Sequence, residues 1–192
     1  MAAELIGGVE KRQILIEDYN PTWPAKFEVH RSTIARVLGV TALRILHVGS
    51  TSVPGLAAKP IIDILVVVEN SADESTYLPP LEAAGYELRV REPDWNEHRM
   101  LRTPQRDVHV HVYSEGCAEI GRNVRFRDRL RAHAQDRKRY EQTKRSLAQL
   151  DWPDMNAYAA AKTEVIESIL AAAPVSHRSR RPRSRVMHPC AW

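Results

Sequence analysis

The sequence predicts an α+β fold: a mixed β-sheet with flanking helices and a helical cap at the C-terminal end. Three observations predict it. Residues 43–48 and 61–68 are stretches of strand length, and the second, Ile61-Ile62-Asp63-Ile64-Leu65-Val66-Val67-Val68, is too apolar for a surface strand. Residues 107–113 alternate strictly, with Val108, Val110 and Val112 on one side and Asp107, His109, His111 and Tyr113 on the other. Beyond residue 123 every pattern is helical.

In chain order, residues 1–13 read as a flexible N-terminal arm, 14–173 as a single domain and 174–192 as an arginine-rich disordered tail. Ile14-Leu15-Ile16 is a short strand or extended piece, closed by the turn signal Asp18-Tyr19-Asn20-Pro21. A helix starts near Pro24, which a first turn tolerates, with Thr22 as its cap. Phe27, Ile34, Val37 and Leu38 make its apolar stripe and Gly39 its stop. Ser71 with Glu74 three residues on is a capping-box pattern; Pro79-Pro80 breaks the first turns, and a short helix resumes over 81–84 before Gly85. Residues 86–90 form another strand, and 98–103 with 107–113 a hairpin. Helices follow at 123–133 and 136–150, and a last one runs from the break Asp151-Trp152-Pro153-Asp154 towards Pro174.

At 192 residues, with 43% hydrophobic and 27% charged residues, the chain suits one well-buried domain. No apolar run reaches membrane-spanning length, the start lacks the basic-then-apolar order of a signal peptide, and Cys117 and Cys190 are too few and too far apart for a disulfide framework. A cytoplasmic protein with no membrane partner is expected. The basic pI of about 9.2 arises in the tail, which holds five arginines and no acid. Taking its +5 from the whole-chain +4 leaves about −1 for the first 173 residues. A nucleic-acid partner is therefore not implied, apart from weak tail contacts with phosphate-rich molecules.

Chemistry concentrates in residues 47–68. Gly49-Ser50-Thr51-Ser52 is a turn rich in N–H and hydroxyl donors, suited to phosphate. Its spacing is not that of a P-loop, since Leu56 rather than lysine follows Gly55, and no G-x-G-x-x-G occurs. Asp63, an acid in an apolar strand, must be satisfied by a partner or serve chemistry. It suits a divalent cation, and it equally suits hydrogen bonds from the N–H groups of the turn. His109 and His111 share a strand face and fit metal ligation or acid–base work, or else hydrogen bonding within a polar cleft. Lys59 fits a phosphate contact or a solvated position before Pro60. Arg127 and Arg131, four apart on one helix face, fit an anion or an ion-pair network with Asp128.

Several segments together resemble the GrpB-like family of the nucleotidyltransferase-fold superfamily: HVGSTSVPGLAAKPIIDI at 47–64, HVHV at 109–112, FRDRLR at 126–131, the helix around Lys162 and the opening Tyr19-Asn20-Pro21-Thr22-Trp23. The resemblance covers roughly residues 14–171. It implies a nucleotidyltransferase-like core, with Gly49 and Ser50 at the phosphate turn and Asp63 at the metal position. Active members of the superfamily place a second acid two residues after the first, where this chain has Leu65. His109 and His111 stand where the superfamily often places a third carboxylate.

The expected function is a metal-dependent, nucleotidyltransferase-like protein acting on a nucleoside triphosphate and an unidentified acceptor, with Mg2+ or Mn2+ as cofactor. Asp63 and His111 are the expected catalytic residues, and Asp63, His109 and His111 the expected metal ligands. Gly49, Ser50, Thr51, Lys59, Arg127 and Arg131 are expected at the phosphates of a nucleotide or phosphorylated small molecule. Leu65 favours an alternative, a non-catalytic nucleotide- or phosphometabolite-binding module; the fusion of such domains to dephospho-CoA kinases points towards coenzyme A metabolism. A third expectation is a protein-interaction or folding-accessory role carried by the cap and the tail.

Overall fold

A computed structural model describes residues 3–172. Its strands are β1 (Glu4–Leu5), β2 (Arg44–Val48), β3 (Ile62–Val68), β4 (Glu87–Glu92), β5 (His98–Arg102) and β6 (Val108–Ser114). Its α-helices are α1 (Trp23–Leu38), α2 (Leu78–Ala83), α3 (Ala118–Ala132), α4 (Ala134–Ala148), α5 (Met155–Ala160) and α6 (Thr163–Ala171). The strands form one mixed sheet in the order β1-β4-β5-β6-β3-β2, with β3 and β6 parallel and the other pairs antiparallel. This is the α+β arrangement expected, with its helical cap at the C-terminal end.

The apolar run of β3 is explained by burial on both faces. Ile62, Ile64, Val66 and Val68 enter the main core beneath α1 and α2, where Trp23, Phe27, Ile34, Leu38 and Leu81 meet them. Leu65 and Val67 face the other way and pack with Val48, Tyr113 and Ile120 of α3. Asp63 opens that second face. The alternation of β6 resolves as expected, because Val108, Val110 and Val112 join the main core and leave His109 and His111 beside Asp63.

A third cluster ties the cap to the site. Leu130, Tyr140, Val165 and Ile169 close over Val53 and Leu56 of the loop that follows the Gly-Ser turn. Glu141 Oε2 accepts from Ala57 N at 3.2 Å, and Lys144 Nζ donates to Ala57 O, so α4 holds both sides of that peptide segment.

Several local expectations give way to tertiary partners. Residues 14–16 form no strand; the extended contact lies one residue later, as a Glu17–Ala58 bridge. Thr22 makes no side-chain cap, and instead donates through both N and Oγ1 to Asn20 Oδ1. The Ser71/Glu74 pair is not a capping box. Ser71 is buried, donating to Glu97 O and sharing a hydrogen with Ser114 Oγ, while Glu74 pairs with Arg91 and Arg99. Pro79-Pro80 lies within the first turn of α2, which begins at Leu78. Helix α3 starts five residues before the expected 123.

The N-terminal segment is docked across the sheet. Strand β1 pairs with β4, and Arg89, turned by a register shift between Leu88 and Val90, donates to the carbonyls of Ile6 and Gly8. Glu10 pairs with Arg102 and Arg106 of the hairpin. The arginine-rich tail at 174–192 lies outside the described residues. Among those described, no helix is long and apolar enough to cross a membrane.

Candidate functional site

The docked N-terminal segment, the open face of the sheet and the helical cap enclose a cavity of about 430 Å3. Gly49, Ser50, Lys59, Asp63, His109 and His111 all line it, so six of the nine expected site residues come together. Thr51, Arg127 and Arg131 do not line it.

Parallel pairing places Asp63 opposite His109, and Leu65 opposite His111. The period-two pleat then brings both imidazoles to the acid. Asp63 Oδ1 lies 3.6 Å from His109 Nδ1 and 3.7 Å from His111 Nε2, and the three donor atoms fall within 4.8 Å of one another. These separations are too long for hydrogen bonds. They match two donors on one cation, since ligands about 2.1 Å from a tetrahedral metal stand about 3.4 Å apart. Burial pushes the Asp63 carboxyl up, but the facing His109 and His111 imidazoles outweigh it and hold the group below the usual carboxylate range. The residues present therefore fit a divalent metal, and this is the one such cluster among the described residues.

Gly49 is required where it stands. Its φ is +68°, and a Cβ there would lie 2.2 Å from Asp63 Oδ2. The turn has to be glycine so that its backbone can rest against the carboxylate. The remainder of the turn is tied from behind. Ser52 Oγ donates to Gly49 O at 2.6 Å, and Thr51 Oγ1 donates to Ile61 O at 3.1 Å while facing His47 Nε2 at 3.2 Å. Thr51 is buried by those contacts and presents no hydroxyl to the cavity.

Arg127 and Arg131 complete the rear brace. Arg127 Nη1 donates to His47 O at 3.0 Å and pairs with Asp128, and Arg131 donates twice to Ser52 O, at 3.0 and 2.6 Å. The Arg127 guanidinium thus satisfies a carbonyl of β2 just before the turn, and that of Arg131 a carbonyl of the turn itself. Both also pair with Asp128, at 2.8 Å for Arg127 and 3.9 Å for Arg131, as in the ion-pair alternative, and they add to it a brace behind the Gly-Ser turn. His47 stacks on Phe27 with ring centroids 4.6 Å apart, and burial lowers its pKa to about 4, which keeps it neutral.

The cations at the cavity come from elsewhere. Lys59, Lys144 and Lys162 all line it, although they lie 18 to 103 residues apart in sequence. Lys59 Nζ and Lys162 Nζ stand 5.1 and 4.7 Å from the Tyr158 ring centroid, and Lys144 Nζ stands 4.9 Å from that of Tyr140. Burial lowers all three amines, Lys144 to about 7 and Lys162 to about 8, and neighbouring lysines add to the shift at those two. The Tyr158 hydroxyl is buried without a hydrogen-bond partner among the described residues. Crowded ammonium groups beside an unpaired hydroxyl suit an anion. Lys144 was invisible in the sequence because a lone lysine in a polar helix reads as solvated surface. Only the apolar neighbours Tyr140 and Leu147 at helical spacing signalled that this face is covered.

The sequence model of the family described as GrpB protein matches residues 13–172. A UPF0157 protein of Halalkalibacterium halodurans is 53% identical over 157 residues, spanning 82% of this chain and 80% of that one. The crystal structure of the conserved protein GrpB from Enterococcus faecalis superimposes with a TM-score of 0.69 at 33% identity, over 82% of this chain and 98% of that one. Cid1 poly(U) polymerase overlaps more loosely, with a TM-score of 0.45 at 12% identity over 76% of this chain and 49% of that one. That last likeness is too loose to carry an argument.

Proposed function

This chain belongs to the GrpB family, and we propose that it binds the phosphates of a nucleoside triphosphate against one divalent transition metal held by Asp63, His109 and His111. The observation that carries the reading is the convergence of those three donors in a cavity that is also lined by three lysines, Lys144 buried and Lys59 and Lys162 half-buried. A metal beside crowded ammonium groups is a site for a highly charged anion, and polyphosphate meets that description. One carboxylate with two imidazoles suits Mn2+, Fe2+ or Zn2+ better than Mg2+, which prefers an all-oxygen shell. Of the two cofactors expected from the sequence, Mn2+ is the better match. When bound, such an ion neutralises phosphate charge and acts as a Lewis acid at a phosphate oxygen. Lys59 and Lys162 bind the phosphate oxygens, the Tyr158 hydroxyl donates to one of them, and Gly49 keeps the turn close enough for Ser50 to orient the chain.

The reading has two forms, which differ in turnover. In the first, an acceptor hydroxyl oxygen forms a bond to the α-phosphorus as the bond to pyrophosphate breaks and its proton passes to water, and Asp63 and His111 would serve catalysis by holding the ion that offsets charge at that phosphate. In the second, the nucleotide is held without turnover. The burial of Leu65 favours the second form, because the acid of a two-metal centre has no counterpart there.

Thermal shift with Mn2+ and ATP, read on wild type and on Asp63→Ala, tests the shared core of both forms. Wild type is expected to gain stability from nucleotide only when Mn2+ is present. Asp63→Ala is expected to keep its far-UV spectrum and lose that gain, and a variant that binds Mn2+ and nucleotide as tightly as wild type overturns the reading. Pyrophosphate release across a panel of acceptors then separates the two forms.

A further inference from the structure

His111 has two ring nitrogens, and only one faces Asp63. The other, Nδ1, lies 3.0 Å from Nε2 of His98, the first residue of β5. The two rings are nearly coplanar, 15° apart, so an N–H···N bond can lie in the plane of both. The far side of His98 is also engaged, with Nδ1 2.6 Å from Glu92 Oε2. His98 is 6% exposed, with Tyr113 stacked 4.7 Å away and Trp95 packed edge-on at 5.5 Å, so its ring cannot turn to another partner.

These contacts leave one consistent placement of protons for neutral rings. A carboxylate only accepts, so His98 Nδ1 must carry the hydrogen that Glu92 receives. His98 Nε2 is then bare and accepts in turn, which requires the hydrogen on Nδ1 of His111. His111 Nε2 is left as a lone pair directed at the Asp63 corner. The opposite order would set a bare His98 nitrogen against the Glu92 carboxylate at 2.6 Å, unless His98 were an imidazolium. That charge is disfavoured in a ring only 6% exposed between Tyr113 and Trp95.

We infer that His98, clamped by Glu92, is a positioning residue that holds His111 in its Nδ1–H tautomer and presents His111 Nε2 as a free donor towards Asp63. Its consequence rests on the metal reading above: a histidine ligand is oriented and made more basic by the acceptor of its other N–H, and here that acceptor is a second imidazole backed by a carboxylate. With His111 Nε2 bare, two acceptors face one another across 3.7 Å, an arrangement that a cation relieves.

The test reads the tautomer directly and needs no metal. Long-range 1H–15N correlation spectra of the full-length, metal-free protein, labelled at histidine and held above the ordinary imidazole titration range, assign the protonated nitrogen of each ring. Wild type is expected to show His111 protonated at Nδ1. In His98→Leu the proton is expected to move to Nε2, and in His98→Gln, whose side-chain carbonyl can accept in place of Nε2, it is expected to stay on Nδ1. Zn2+ affinity, measured by chelator competition, is expected to fall about 10- to 100-fold in His98→Leu and to recover in His98→Gln. Should the buried leucine variant fail to fold, Glu92→Ala, at a partly exposed group, reads the relay from its other end and is expected to give His111 a mixture of tautomers. Wild-type His111 protonated at Nε2, or a tautomer unmoved by both His98→Leu and Glu92→Ala, overturns the inference. An Nδ1–H tautomer that shifts as expected in a protein that takes up neither Zn2+ nor Mn2+ upholds the positioning role and overturns the metal reading alone.

Discussion

Asp63 and Leu65 leave β3 on the same face, two residues apart, and end in opposite surroundings. The Asp63 side chain keeps 29% of its surface accessible and meets two imidazoles in an open cavity. Leu65 is fully buried, with Val48, Val67 and Tyr113 around it and Ile120 of α3 over it. One strand face is thus divided between a site and a core, and the start of α3 marks the division. The difference teaches that Leu65 belongs to the packing beneath α3 and not to the cavity that Asp63 lines. The space beside Asp63 on that face is filled by packing, and the acid itself faces His109 and His111 across the strand pair.

The most damaging way to challenge this division is Leu65→Asp. A carboxylate placed there has neither water nor a cation, so a loss of about 3–5 kcal/mol is expected in urea unfolding, with no gain of Mg2+ binding. A stable Leu65→Asp protein that takes up Mg2+ would show that the two halves of the face are interchangeable. Gly49→Ala strikes the open half. Its Cβ would stand 2.2 Å from Asp63 Oδ2 at a backbone φ of +68°, so the acid must move. A stability loss of about 1–3 kcal/mol is expected, together with loss of the Mn2+ response.

A smaller contrast separates the lining of the cavity from the brace behind it. Lys162→Met is expected to weaken tripolyphosphate binding about 10-fold, in line with one lost charged hydrogen bond. Arg131→Met is expected to leave that affinity nearly unchanged and to lower stability by about 1 kcal/mol, because Ser52 O loses its donor. Calorimetric titration alongside unfolding distinguishes the pair, and equal effects on affinity would merge brace and lining.

Gentlest is the pH dependence. Burial first, and neighbouring lysines second, hold Lys144 near 7 and Lys162 near 8 against an ordinary 10.5. Between those values and 10.5 the unfolded chain keeps protons that the folded chain has released, so these two groups make stability rise with pH through that window. Anion binding needs their ammonium forms and so runs the other way, weakening as pH climbs past about 7 to 8. Urea midpoints and tripolyphosphate affinities across this range check both signs, and Lys144→Met should flatten the stability slope.

Much of the frame follows from residue order alone. The apolar run of β3 required a central strand, and the valine period of β6 required one polar face carrying His109 and His111, because side-chain direction in a strand is a local, period-two property. Gly49, Ser50 and Asp63 were legible for the same reason: a turn beside a buried strand brings neighbours in sequence together. The partners of charged side chains were not legible, since a guanidinium or an ammonium reaches whatever the fold sets near it. Arg127 and Arg131 therefore became braces of the turn, and Thr51 was consumed by Ile61 O. Lys144 and Lys162, on separate helices, met Lys59 only once the cap had closed over Val53 and Leu56. His98 likewise reached His111 through the pairing of β5 with β6. Local pattern determined which strands exist and which way they face; long-range packing, which brings distant charges into a shared low-dielectric space, decided which residues share the site.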